Sequence, residues 1–112
     1  MSSAESPQAA PPAMKMVFMV HNEWLTPQVM QMLKACGIDY YTRWDKAQGK
    51  GRGTEPHLGT GSYGSTNAVM MIAFNEAAPL EALVGSINAA NAEIARPADR
   101  IRLFELPLER IV

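Results

Sequence analysis

Lys50 and Arg52 stand among glycines in Gly49-Lys50-Gly51-Arg52-Gly53, and no other cluster in the chain has residue types so suited to chemistry. Glycine lets a backbone approach a ligand closely and reach positive φ. Successive amide hydrogens with cations beside them then make a cradle for an anion such as phosphate or carboxylate. The same composition also fits a solvated hairpin connection whose charges only maintain solubility, and composition does not choose between the two. The stretch runs on through Thr54-Glu55-Pro56-His57-Leu58-Gly59-Thr60-Gly61 and Tyr63 to Asn67, with six glycines in all. A loop of that length inside a small domain is either functional or disordered.

Other chemistries find fewer residues. His21 and Glu23 near the first strand and His57 in the loop could hold zinc or copper if the fold or an oligomer brought them together. The simpler reading makes His21 a surface residue and His57 a turn residue, and no metal is expected. Trp24 and Trp44 could stack on an adenine ring or pack against a neighbouring subunit. Met70 and Met71 point to opposite faces of one strand, which rules out a shared thioether site. Gly49-Lys50 is not a Walker A loop, since Trp44 stands where its first glycine belongs and Gly51 where Ser or Thr should bind magnesium. Asp45 and Glu55 flank the loop base without a recognisable acid–base partner, and they read as solvated charges. A nucleophile with its base, or paired carboxylates, is not visible in the pattern, so an enzyme is not expected. A small enzyme with unrecognised chemistry stays as an alternative.

The elements that must position these residues follow from hydropathy. At 112 residues the chain has the length of one domain, near the small end where oligomerisation often helps. Its formal net charge of −1 offers no basic field for nucleic acid. Single Cys36 excludes an intramolecular disulfide and reads as a small buried hydrophobe. Residues 1–13, rich in Ser, Ala and Pro, read as a disordered leader without signal-peptide character, and 14–112 as a single domain. No window reaches the roughly 20 apolar residues of a membrane helix, so a soluble, cytoplasmic protein is expected.

Met16 to Val20 predicts a first strand, bounded by the polar His21-Asn22-Glu23. Thr26 as N-cap and Pro27 at the first helical position predict a helix carrying Val29, Met32, Leu33 and Cys36, stopped by Gly37. Ile38 to Lys46 predicts a second strand leading into the glycine-rich loop, and Asn67 to Phe74 a third leaving it. Pro79 opens a second helix with the stripe Leu80, Leu83, Val84, Ile87, Asn91 and Ile94. Arg100 to Leu106 predicts a last strand ended by Pro107. The order β-α-β-β-α-β is the ferredoxin-like split motif, an α+β sandwich with a long loop between strands 2 and 3. Strands this apolar leave a second sheet face too hydrophobic for water, and assembly through it is expected.

On these residues the chain resembles the PII and PII-like signalling proteins, over positions 15 to 109. Gly49-Lys50-Gly51-Arg52 is similar to the G-x-G-R at the base of that family's T-loop, and Leu106-Pro107-Leu108-Glu109 to the L-P-V-E after its last strand. The resemblance implies a homotrimer that binds an adenine nucleotide, AMP, ADP or ATP, in clefts between subunits. It implies Gly49, Gly51 and Arg52 as cleft backbone and cation, Arg102 at the position of a phosphate-contacting lysine, and Arg100 as the alternative one register away. Lys50 joins this anion-binding set, while Thr54, Glu55, His57 and Tyr63 fall in the loop that contacts a target such as a transporter or a regulatory enzyme. Nucleotide binding is expected to order that loop.

The departures from the family pattern matter as much. Gly53 stands where typical members carry a glutamine that helps hold magnesium and 2-oxoglutarate, so sensing of 2-oxoglutarate is not implied. Ala95-Arg96-Pro97-Ala98-Asp99 replaces the glycine-rich loop before the last strand, and up to Val112 the family's two late arginines have no counterpart. Such divergence resembles the broader PII-like group, associated with inorganic-carbon or metal transport as well as nitrogen. A metal-responsive PII-like or CutA-like protein using His57 with His21 or Glu23 is the second reading.

Overall fold

The computed structural model describes residues 14–50 and 66–112. Its elements are β1 (Lys15–Asn22), a 3-10 turn (Glu23–Leu25), α1 (Thr26–Ala35), β2 (Thr42–Ala47), β3 (Asn67–Phe74), α2 (Ala77–Ala92), a second 3-10 turn (Pro97–Asp99) and β4 (Arg102–Pro107). The sheet order is β2-β3-β1-β4, and every neighbouring pair is antiparallel. That is the expected ferredoxin-like α+β arrangement.

Several boundaries differ from expectation for identifiable reasons. Strand β1 does not stop at Val20: His21 lies opposite Ala68 and Asn22 opposite Asn67, so the ladder continues through both polar residues. Thr26 is not a cap. Its amide is taken by the Glu23 carbonyl because the 3-10 turn runs straight into α1, and the capping side chain is Asn22, whose Oδ1 accepts from the Trp24 amide at 3.0 Å. Gly37 ends α1 as expected, at φ 75°, where a side chain would be strained. Its amide donates to the Lys34 carbonyl while Ile38 donates to Leu33 at 2.9 Å, the paired bonds of a Schellman motif. Because Ile38 is committed to that motif and to the core, β2 begins at Thr42 rather than Ile38. Helix α2 begins at Ala77, two residues before Pro79, which the first turn tolerates. The turn Pro97–Asp99 delays β4 to Arg102.

Register assigns the two sheet faces. Val17, Met19 and His21 share one face with their cross-strand partners Ile72, Met70 and Ala68, and all six are buried beneath α1 and α2. Val29 and Leu33 of α1 and Leu80, Leu83 and Ile87 of α2 complete that core. The other face presents Trp44·Val69·Val20·Arg102 as one row across the sheet, Thr42·Met71·Phe18·Phe104 as the next, and Ala73·Met16·Leu106 as the third. No described helix covers it, and Trp44, Phe104 and Leu106 keep 49%, 53% and 45% of their surface exposed. Met70 and Met71 fall on opposite faces, as their adjacency requires.

Candidate functional site at the roots of the long loop

Strand β2 does not run cleanly into the loop. Its register against β3 shifts between Trp44 and Ala47, and Lys46 takes φ 58°, a left-handed conformation uncommon outside glycine. The irregularity turns the Lys46 amide toward Glu23, whose Oε1 accepts it at 3.2 Å. The same carboxylate oxygen accepts the Thr66 hydroxyl, and the Glu23 amide donates to the Thr66 carbonyl at 3.0 Å. Glu23 therefore touches both roots of the loop, Lys46 on the way out and Thr66 on the way back. The sequence offered Glu23 only as a metal candidate; its partners lie 23 and 43 positions away, beyond any local pattern.

Gly49 and Lys50 are the last described residues before the loop. A methyl group on Gly49 would lie 2.6 Å from Asn67 Nδ2, so the missing side chain accommodates the first residue of β3. Lys50 is exposed. Gly51, Arg52, Thr54, Glu55, His57 and Tyr63 lie outside the described residues, as does the leader 1–13.

Arg102 sits at the other edge of the sheet. It is exposed on β4 opposite Val20, in the same open-face row as Trp44 and so at the loop end. With β2 and β4 outermost, three strand spacings separate these edges, about 14 Å. One chain thus holds Arg102 and the strand that leads to Lys50 on opposite edges of the sheet, with Arg102 at the loop end. Arg100 precedes β4, and its Nε donates to the Ile94 carbonyl at 3.1 Å, closing the connection from α2. Ile101 is held by Asn91, whose amide oxygen accepts from its N–H and whose NH2 donates to its carbonyl, both at 2.8 Å. That pairing explains a polar residue on an otherwise apolar helix stripe.

His21 is not a surface residue: only 1% of it is exposed. Its Nδ1 lies 2.9 Å from the Asn22 carbonyl, which can only accept, so the neutral ring carries its proton there. Nε2 is then a buried lone pair with no hydrogen-bond partner among the described residues. Burial pushes the His21 pKa below its ordinary 6.5, with the hydrogen bond to Asn22 opposing, Arg43 adding to the fall, and Asp45 and Glu23 opposing it. Asp45 is not free for acid–base work, since Arg43 pairs with it at 3.1 Å. Among the described residues no three His, Cys, Asp or Glu side chains cluster as a metal site requires. Trp24 projects from the 3-10 turn at 68% exposure, and Cys36 is half-buried with Sγ 3.8 Å from Ser86 Oγ. A groove of about 620 Å³ lined by Met30, Leu33, Lys34, Ile38 and Tyr41 opens beside the start of β2, at the sheet end remote from the loop. No described helix is long and apolar enough to cross a membrane.

No protein-family model and no curated protein matches the chain. Solved structures do. CPII from Thiomonas intermedia K12, bound to ADP and bicarbonate, aligns with a TM-score of 0.62 at 13% identity, over 87% of this chain and 89% of that one. A second CPII structure from the same organism, described as a nitrogen regulatory PII-like protein bound to ADP, AMP and bicarbonate, aligns at 0.63 and 12% identity over the same shares. A putative PII-like signalling protein from Thermus thermophilus aligns at 0.53 and 17% identity, over 85% of this chain and 86% of that one. The chain has the fold of the PII-like proteins.

Proposed function

We propose that this chain is a PII-like regulatory protein that binds an adenine nucleotide in clefts between the subunits of a homotrimer and uses its glycine-rich loop to control a target. The observation that carries the reading is that Arg102 and the strand leading into Gly49 and Lys50 lie on opposite edges of the sheet, with Arg102 at the loop end. A contact between the β4 edge of one copy and the β2 edge of the next would bring the two cations to one cleft, and repetition of such a head-to-tail contact closes into a ring. Burial of the open face rows containing Phe18, Met71 and Phe104 supplies the apolar driving force for that contact.

In such a cleft the phosphates would lie against the amide groups at Gly49 and Gly51 and between Lys50 or Arg52 of one copy and Arg102 of its neighbour. Trp44, on the open face at the loop end, offers a ring for the adenine. Signalling requires the nucleotide to bind more tightly in one loop state than in another. We infer a regulatory role and not a catalytic one, with a transporter or an enzyme as the target and the cytoplasm as the compartment. The neighbouring structures hold ADP, AMP and bicarbonate, which favours ADP or AMP over ATP as first ligand and makes bicarbonate a second ligand to titrate.

Calorimetric titration with AMP, ADP and ATP, with and without bicarbonate, tests this directly when paired with light scattering. Saturable ADP binding by an oligomer of three chains is the expected result. A stable monomer at micromolar concentration would remove the intersubunit cleft.

A further inference from the structure

A long hairpin loop cannot set the register at its own base as a two-residue turn does, because many closed-loop conformations are compatible with either register. Something else must hold the roots. The ladder at β2 is interrupted there: the shift between Trp44 and Ala47 and the left-handed Lys46 break regular pairing, which resumes only at Ala47 opposite Asn67. The residue that bridges the gap comes from neither strand of the hairpin. Glu23, one residue beyond β1, extends the ladder by its amide bond to Thr66 and reaches on with one carboxylate oxygen to the Thr66 hydroxyl and the Lys46 amide. Asn22 fixes the turn from which Glu23 projects, through its bond to the Trp24 amide.

We propose that Glu23 is the latch of the loop: a positioning residue that ties both roots to the end of β1 and thereby sets where Gly49 and Lys50 present their amide and ammonium groups to an anion. Lys50 lies only four residues beyond the latched Lys46, and Gly49 is already pressed against Asn67, the residue after Thr66. Loss of the carboxylate leaves the Lys46 amide to water, in a left-handed conformation that then has one fewer protein contact to sustain it. The ladder of β1 with β3 needs no help from this side chain, so the effect is confined to the loop roots. The ligand-positioning half of this inference rests on the nucleotide reading; the latch itself does not.

Two measurements on the full chain separate these halves: amide hydrogen exchange at Lys46 without ligand, and ADP titration, each for wild type, Glu23→Ala, Glu23→Gln and Thr66→Val. Glu23→Ala should speed exchange at Lys46 at least tenfold and weaken ADP about tenfold, the loss expected for one charge-assisted bond. Exchange at Val17 and Met70 should stay as in wild type. Glu23→Gln keeps the acceptor oxygen and should remain within a few-fold of wild type in both readouts. Thr66→Val, which removes one arm only and preserves side-chain shape, should fall between them and serves if Glu23→Ala fails to fold. Unchanged Lys46 exchange in both Glu23→Ala and Thr66→Val would overturn the latch. Faster exchange with undiminished ADP affinity would overturn the positioning role and leave a purely structural tie. No ADP binding by wild type would remove the nucleotide reading and the positioning role together, while Lys46 exchange would still decide the latch.

Discussion

The two faces of the sheet are built from equally apolar strands but end in different states. On the helix side, Val17, Met19, Met70, Ile72 and Phe74 have 0–1% of their surface left to solvent. On the other side, Phe104 keeps 53% and Trp44 49% of their surface exposed. The first face is completed by the chain's own helices; the second has the composition of an interior and nothing from the described residues over it. Apolar surface of that kind marks a contact with another molecule. On the proposed reading, one face is the core for folding and the other a surface for assembly.

Substitutions on the two faces should separate these roles. Leu83→Ala, beneath α2 on the covered face, should cost about 2–5 kcal/mol of folding stability in chemical denaturation. Phe104→Ser should change the stability of the separated chain by no more than about 0.5 kcal/mol. Its effect should appear in light scattering, as a lower mass. A Phe104→Ser variant that unfolds as readily as Leu83→Ala would erase the distinction.

A smaller effect is expected where α2 hands the chain to β4. Asn91→Ala would leave the Ile101 N–H and carbonyl without their 2.8 Å partners, a loss of about 1–3 kcal/mol read by thermal unfolding. Because Ile101 leads into the strand that carries Arg102, nucleotide affinity should fall with it.

The smallest effect is the pH response of His21 on the covered face. Its folded pKa lies below the ordinary 6.5, so between the two values the unfolded chain binds more protons than the folded one. Stability should therefore fall as pH drops below about 6.5 and level off beneath the folded pKa. The groups opposing or reinforcing that fall are Arg43, Asp45 and Glu23. His21→Phe should flatten the profile of denaturation midpoint between pH 7 and 5, and an unchanged slope would assign the titration elsewhere.

The covered face was the legible one. Runs such as Asn67 to Phe74 and the helical recurrence of Val29 and Leu33 state burial locally, and Gly37 states a helix end through the φ that only glycine adopts readily. The topology followed from their order. Polar residues that act across the fold were not legible. His21 and Asn22 looked like a strand end, yet they continue the ladder. Asn91 looked simply like a member of the helix stripe, although it pairs with a backbone ten residues on. Glu23 looked only like a metal candidate, since its partners meet it only after β2 and β3 have paired. Of the candidate site, Gly49, Lys50, Arg100 and Arg102 can be placed, and their separation across the sheet is what the sequence did not contain.

That separation gives the most direct test of a nucleotide site shared between copies. ADP titrations should be run on Lys50→Ala/Arg52→Ala, on Arg102→Ala, and on the two variants unfolded together and reassembled as a mixture. Each variant alone should bind at least tenfold more weakly than wild type, since a charge-assisted phosphate contact contributes about 1.5–3 kcal/mol. The mixture should regain a fraction of sites with wild-type affinity, because some clefts then combine an intact loop root from one copy with an intact Arg102 from the other. A mixture that binds no better than either variant alone would contradict the shared cleft.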